Sequence, residues 1–392
     1  TAHKFWQEMA NVPHDAAHAK LAQAFALKAH DRRCIENAVA LAANNPAVEI
    51  RSNQFDSDPW LLNCENGVID VRTMVMTPQD PKQLHTKLAN VVFDPKAWCP
   101  KWVEFVDTIT CGDKELAAFL QRTFGLALSA DQSEQAVWFH HGAGGNGKGT
   151  FLSIMDELLG DYAAPASVET FIHKRVESDR ARAVAGIVGR RLVYAQETDD
   201  GSRLSEQAIK SFTGSDPITF RRLYEEEVTT YPTWHIHLAV NEKPQIRGQD
   251  IGIWRRVKLV PWNHRFTGDG NRNRAEVHEE LIAERSGILN WLLAGLDQWL
   301  FHGLQEPECV LAATREYQNE SDLVGAFIAD ECTIEPDAVV LATDLLSAFR
   351  DWCKRTGCRA FSRQKFGDEM ESRGYWKEKA TGGEYRRKTI RH

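Results

Sequence analysis

The chain has 392 residues, 43% of them hydrophobic and 26% charged, with a formal net charge of −8. That is enough apolar material for two or three cored domains. The acidic balance excludes a uniformly basic coat for nucleic acid, so any such contact has to come from local patches. No apolar run approaches the ~18 residues of a membrane span, and no secretory leader pattern is present. The eight cysteines are scattered without C-x-x-C or zinc spacing, which predicts free buried thiols in a reducing, cytoplasmic compartment.

The chain opens on Thr1 inside a helical pattern, so a fragment of a longer protein is expected. Helix is predicted from about Phe5 to Asn44, with Phe25, Leu27, Ile35, Val39 and Leu41 as core positions and Asn45-Pro46 as its end. Asn66-Gly67 between two short apolar runs predicts a tight hairpin. A helix follows near Lys114–Leu128, with Leu116, Phe119, Leu120 and Phe124 on one face. Residues 1–130 therefore read as a helical accessory domain with a small β-hairpin.

Residues 131–305 carry the chemistry. Val137 to His141 reads as a strand, followed by Gly142-Ala143-Gly144-Gly145-Asn146-Gly147-Lys148-Gly149-Thr150 and an amphipathic helix from Lys148 to about Leu159. Gly142, four residues, then Gly147-Lys148 fits the phosphate-binding loop. Glycines let backbone amides close on an anion, the helix N-terminus faces it, and the lysine reaches the outer phosphates. The position after the lysine usually carries Ser or Thr for Mg²⁺, but here it is Gly149. Either Thr150, one residue later, takes that role or water does.

A second strand, Leu192 to Gln196, delivers Glu197 at its end, with Asp199 in reserve. A phosphate-loop enzyme places there the acid that holds Mg²⁺ or polarises water; the plainer reading is an ordinary strand-end acid. A short helix over Leu204–Phe212 carries Lys210, and Ile218–Tyr224 with Val228–Trp234 predicts a hairpin bearing Arg221, Arg222 and Tyr224. The apolar strand Ile236 to Val240 ends at Asn241, which could orient the attacking water or simply begin a turn. His235 and His237 alternate on that strand and read as hydrogen-bonded strand histidines. Arg255-Arg256 opens another apolar strand, either as an arginine finger serving a neighbour's nucleotide or as a salt-bridging surface pair. One long helix is expected over Ala275–Phe301.

In residues 306–392, helices are predicted at Asp322–Ala329, at Asp344–Lys354 and after Ser362, the last bearing Arg363, Lys365 and Arg373. A hairpin over Tyr375–Arg391 turns at Gly382-Gly383 and carries Arg386, Arg387 and Lys388. From residue 363 onward nine Lys and Arg stand against five Asp and Glu, opposite in sign to the whole chain. Three helices and a basic hairpin predict a winged helix, either gripping DNA phosphates or docking subunits.

In this order the motifs resemble the superfamily 3 helicases of the AAA+ class, in the phage/plasmid primase-helicase branch that includes poxvirus-type enzymes. The resemblance runs from about Asp58 to His392. Phe55–Asn63 with Asn66-Gly67 resembles the family's accessory domain, Gly142–Gly149 its Walker A and Glu197-Thr198 its Walker B. Lys210 with Thr213–Asp216 and Arg221 resembles the intervening motif, Asn241–Pro244 the sensor, and Trp254-Arg255-Arg256 the arginine-finger segment. It implies an α/β, AAA+ P-loop NTPase core with ATP and Mg²⁺ as cofactors, Thr150 and Glu197 being the metal contacts. It also implies a homo-hexameric ring that moves 3′ to 5′ on single-stranded and forked DNA, with no membrane partner. A primase or polymerase domain upstream, and a phage- or plasmid-encoded protein working in a bacterial host cytoplasm, are part of the same expectation. The competing classes are an AAA+ initiator that binds and melts an origin without processive unwinding, and a non-enzymatic assembly module in which Gly149 marks lost hydrolysis.

Overall fold

The computed structural model describes residues 31–43, 45, 49–50, 52–167, 170–171, 177–196, 204–221, 227–246, 250–266, 273–335, 339–379 and 385–389; for 52, 177–180, 376–379 and 385–389 the description is of backbone alone. The chain divides into two compact units, Thr1–Ser57 and Asp58–His392. In the first, α1 spans Arg32–Ala43, inside the expected helix. Its Ile35, Val39 and Leu41 are exposed at 49%, 64% and 74%, so they are not the core positions expected of them. Ile35 and Val39 share a face by their four-residue spacing, and no described segment of that unit covers it. Phe25 and Leu27 lie outside the described residues.

The second unit opens with an antiparallel meander, β1 (Leu61–Cys64), β2 (Gly67–Asp70) and β3 (Val75–Thr77). Its first turn is Glu65-Asn66, one residue earlier than expected, because Cys64 pairs with Gly67. The Asn66 side chain decides this. It accepts from the Phe93 amide and donates to the Phe93 carbonyl, both at 2.9 Å, which pins it as a turn residue. Helices α2 (Pro100–Ile109) and α3 (Lys114–Leu126) follow. Asp113 caps α3 by accepting from the Glu115 and Leu116 amides, and its expected apolar face is buried.

Then come β4 (Val137–His141), α4 (Lys148–Leu159), β5 (Ala163–Pro165), α5 (Glu177–Ile187), β6 (Leu192–Gln196) and α6 (Glu206–Phe212). A hairpin of β7 (Ile218–Arg221) and β8 (Glu227–Thr230) precedes β9 (His235–Val240), α7 (Ile251–Trp254) and β10 (Val257–Pro261). Five strands form one parallel sheet in the order β10-β4-β9-β6-β5. The helix expected over Ala275–Phe301 is two, α8 (Arg274–Ile282) and α9 (Arg285–His302). The break falls at Ala283-Glu284, where the Glu284 carboxylate accepts from the Lys101 and Trp102 amides at 3.3 and 3.0 Å. It thereby satisfies two of the orphan donors that open α2.

The tail runs α10 (Glu308–Ser321), α11 (Leu323–Glu331), β11 (Val340–Leu341), α12 (Ala342–Arg355), α13 (Arg363–Ser372), β12 (Tyr375–Lys379) and β13 (Tyr385–Thr389). Its three predicted helices and the hairpin strands are present, Ser362 capping α13 by accepting from the Lys365 amide at 3.2 Å. The short β11 was not expected; it pairs with β13 and completes a sheet in the order β11-β13-β12. The Gly382-Gly383 turn lies outside the described residues.

One core on the first face of the parallel sheet runs from Leu62 to Val310 and includes Trp102, Phe124, Phe151 and Leu292. The other face is filled by Phe139, Phe212, Ile236, Trp254 and Tyr317. A third core, around Phe327, Phe349, Trp352 and Phe366, belongs to the tail. Helices α3 and α9 meet backbone to backbone: a Cβ on Gly125 would stand 2.5 Å from the Leu292 carbonyl oxygen, and one on Gly295 2.1 Å from that of Gln121. Buried Arg191, at the root of β6, donates to the carbonyls of Leu128 and Leu61 and lies over the Tyr162 ring at 4.6 Å. No described helix is long and apolar enough to cross a membrane. All eight cysteines are free, as expected, but Cys34 and Cys111 are exposed and Cys309, Cys332 and Cys358 partly so.

Candidate functional site

The site forms where β4, buried between β9 and β10, reaches its C-terminal end. The chain leaves β4 for the far edge at β5 and returns through β6 to β9 and β10, one on each side of β4. Open α/β sheets bind ligands in the crevice above such a switch in strand order. Gly147, at φ +90°, caps α4 from the left-handed region that favours glycine. Around Gly144 and Gly145 nothing lies within 4 Å of an added Cβ, so the crest of the loop is open. Its root is closed: Trp262 donates its amide to the His141 carbonyl at 2.8 Å and accepts at its own carbonyl from Asn146 Nδ2 at 3.3 Å. Buried Asn146 in turn accepts from the Lys148 amide at 3.4 Å.

Lys148 is buried, and its ammonium donates to the Gly142 carbonyl, to the Val240 carbonyl at 3.2 Å and to Asn241 Oδ1 at 3.3 Å. Three acceptors match its three donors, yet all three are neutral. Desolvation pulls its pKa down to about 8. The structure thus brings together two of the residues picked out in the sequence, Lys148 and Asn241. Thr150 sits in the first turn of α4, half-buried, and Gly149 leaves the preceding position without a side chain. Glu197 and Asp199 lie outside the described residues, just beyond the end of β6.

Under the loop, three histidines are buried in the sheet. His140 Nδ1 accepts from Trp262 Nε1 at 3.0 Å, and its Nε2 meets His237 Nδ1 at 3.0 Å. With Nδ1 accepting, the neutral His140 carries its proton on Nε2 and donates it to His237. Burial lowers His140 to about 3 and His235 to about 4, and holds His237 well below its ordinary value. The expectation of hydrogen-bonded strand histidines therefore holds in part: Nε2 of His235 and of His237 has no hydrogen-bond partner among the described residues. No group of three or more His, Cys, Asp or Glu able to hold a metal occurs among those residues.

Arg255 and Arg256 stand at the opposite end of the sheet, where the Val137 amide donates to the Arg256 carbonyl at 2.8 Å. The five residues from there to Gly142 span roughly 17 Å at the rise of a strand, beyond the reach of an arginine side chain. Arg256 is 9% exposed and donates to Thr213 Oγ1, the Gly252 carbonyl and Gln135 Oε1. Arg255 is exposed and donates to the same Gln135 oxygen at 2.9 Å. Lys210 pairs with Asp250 at 2.9 Å, and Asp250 caps α7.

The hairpin before β9 is rooted in the core by Ile218 and Phe220, leaving Thr219 and Arg221 exposed, with Arg221 opposite Glu227. Arg222 and Tyr224 lie outside the described residues. In the tail Arg363 is exposed, and the Lys365 ammonium lies 4.8 Å from the Phe361 ring centre. Arg373 is committed to ion pairs with Asp322 and Glu369. Arg386, Arg387 and Lys388 follow one another on β13, described as backbone alone. Three residues near these groups carried no signal in the sequence: Trp262, one position past an apolar strand; Gln135, which bridges the arginine pair; and Arg274, whose guanidinium nitrogen would stand 3.0 Å from a Cβ on Gly149.

Residues 2–111 match the family described as D5 N terminal like, and residues 140–256 match a family of unknown function, DUF5906. The chain is 26% identical over 322 residues to "Putative helicase L207/L206" of Acanthamoeba polyphaga mimivirus, covering 76% of this chain and 33% of that protein. It is 26% identical over 257 residues to "Putative helicase 022R" of Frog virus 3, covering 61% of this chain and 26% of the other. The chain thus spans about a third or less of the length of these two curated relatives. Among solved structures, the apo C-terminal region of NrS-1 aligns with a TM-score of 0.48 at 10% identity, over 86% of this chain and 83% of that one. The chain is accordingly similar to D5-type proteins at its N-terminal end and to helicase-named viral proteins across most of its length.

Proposed function

We propose that the chain is the motor part of a replicative DNA helicase of a phage, plasmid or virus, hydrolysing ATP at the loop after β4. The observation that carries this reading is the meeting of Lys148, the carbonyl ends of β4 and β9, and Asn241 beneath an open glycine loop. Strand order, the viral relatives and the resemblance to AAA+ superfamily 3 enzymes support it. In this reading residues 1–130 form the accessory domain, 131–305 the AAA+ ATPase and 306–392 a winged helix. Support for the last comes from the order α11-β11-α12-α13-β12-β13 with β11 paired to β13.

The loop amides and the N-terminus of α4 hold the phosphates. Lys148 exchanges neutral carbonyls for phosphate oxygens, and this exchange frees Asn241 Oδ1 to orient the attacking water. Glu197 either polarises that water or, with Thr150, would hold a magnesium ion that neutralises the outer phosphates when bound. An arginine too far from its own loop serves one on a neighbouring subunit, as a ring requires. Arg255, exposed, suits that role better than Arg256, whose donors are engaged within the chain. Arg221, Arg222 and Tyr224 contact single-stranded DNA by charge and stacking, and Arg363, Lys365, Arg386, Arg387 and Lys388 contact phosphates from the winged helix.

The test combines fluorescent-nucleotide binding, ATP turnover with and without single-stranded DNA, and unwinding of forked DNA. Binding, DNA-stimulated turnover and strand separation are expected together. Turnover without unwinding, confined to a double-stranded recognition site, would turn the assignment to an origin-melting initiator. Absence of triphosphate binding by the assembled protein would end it.

A further inference from the structure

We infer that Arg274 is a phosphate-contacting residue acting within its own subunit, and that Gly149 is glycine because the guanidinium needs its space. This rests on the nucleotide reading of the loop. Helix α8 lies along α4 in a fixed register. His278 meets Ser153 Oγ at 3.2 Å and Glu157 at 3.4 Å, one turn and two turns after Gly149. Arg274 is one turn before His278 on the same face, and its Nη2 would stand 3.0 Å from a Cβ on Gly149.

The two helices therefore run parallel, and their positive N-termini open at the same place. The far end of α8 is tied down by Lys101 on Glu280 at 3.2 Å and by Glu284 at the start of α2. Arg274 is thus delivered by an anchored helix. No hydrogen bond or ion pair joins its guanidinium to a described residue, and the residue is exposed. Gln196 Oε1, at the end of β6, is 3.7 Å from the same Cβ position, so the guanidinium and the strand that leads to Glu197 both border the space left by Gly149. Two helix N-termini, Lys148 and an uncommitted guanidinium converge where the terminal phosphates of a nucleoside triphosphate would lie.

The experiment measures ATP-analogue and ADP affinity of wild type, Arg274→Ala, Arg274→Lys, Gly149→Ala and the Gly149→Ala, Arg274→Ala double variant, with the thermal midpoint as a fold control. Arg274→Ala is expected to weaken triphosphate binding roughly tenfold or more, the scale of a lost charge-assisted hydrogen bond, while ADP affinity stays within about twofold. Arg274→Lys restores part of the loss. Gly149→Ala weakens triphosphate binding in the wild-type background and adds nothing to Arg274→Ala. Unchanged triphosphate affinity in Arg274→Ala, or equal losses for both nucleotides, overturns the role of Arg274. Failure of the wild type to bind either nucleotide overturns the site as a whole.

Discussion

The two ends of the parallel sheet treat their cations in opposite ways. At the N-terminal end, Arg256 is buried with its donors distributed over a threonine hydroxyl, a carbonyl and the Gln135 amide. At the C-terminal end, Lys148 is equally buried and also rests on neutral dipoles; burial lowers both cations, but an ammonium starts below a guanidinium and is brought down to about 8. Arg274, against the adjacent Gly149, makes no hydrogen bond to a described residue. A buried cation whose neighbours fix its geometry is part of the scaffold. One that burial brings close to losing its proton is, in the proposed reading, held ready for an anion.

The comparison breaks most visibly at Lys148. Lys148→Ala should reduce ATP turnover by on the order of a hundredfold or more and leave the thermal midpoint unchanged or raised, since it removes a poorly compensated buried charge. A clear drop in the midpoint would make Lys148 scaffold after all. Between the two ends lie His140, His235 and His237, each held neutral by burial. A histidine with a depressed folded pKa contributes stability that is complete above its unfolded value near 6.5 and lost as pH falls. Unfolding free energies from denaturant titrations should therefore fall from pH 6.5 towards pH 4, by roughly 1 kcal/mol per unit for each histidine. His237→Phe should flatten that slope.

Arg256→Ala should cost about 1–3 kcal/mol in chemical denaturation because it orphans buried acceptors. Arg255→Ala should stay within about 0.5 kcal/mol, yet its subunits should poison mixed assemblies beyond their mole fraction. A loss linear in mutant fraction would remove the role in trans. A further effect concerns pH and binding. Phosphate raises the Lys148 pKa, so nucleotide association takes up a proton once the free lysine titrates. Affinity should hold below pH 8 and decline above it, by at most about tenfold per unit, and this slope should vanish in Lys148→Met.

Much of this was legible in the residues. The glycine loop, its flanking strand and α4 fall where Gly142 to Leu159 places them, because period and glycine spacing are local signals. Asn241 at the end of β9 was legible for the same reason. The missed features are those set by distant partners. The turn at Glu65-Asn66 is fixed by Phe93, the break at Ala283-Glu284 by the start of α2, and the surroundings of Gly149 by a helix 125 positions further along the chain. The exposed Ile35, Val39 and Leu41 teach the converse: an apolar stripe states that a face can be covered, not what covers it.

The contact of Gly125 with α9 has a practical corollary. With two backbones touching there, and Trp102 and Phe124 against Phe151 at centroid distances of 4.9 and 4.7 Å, the segment before the phosphate loop is half of the hydrophobic interior on that side. A polypeptide trimmed to begin at 131 would leave α9 and the underside of α4 facing water. The part of the chain that carries the glycine loop should therefore be expressed from Asp58 onward, and shorter versions should aggregate whatever their loop sequence.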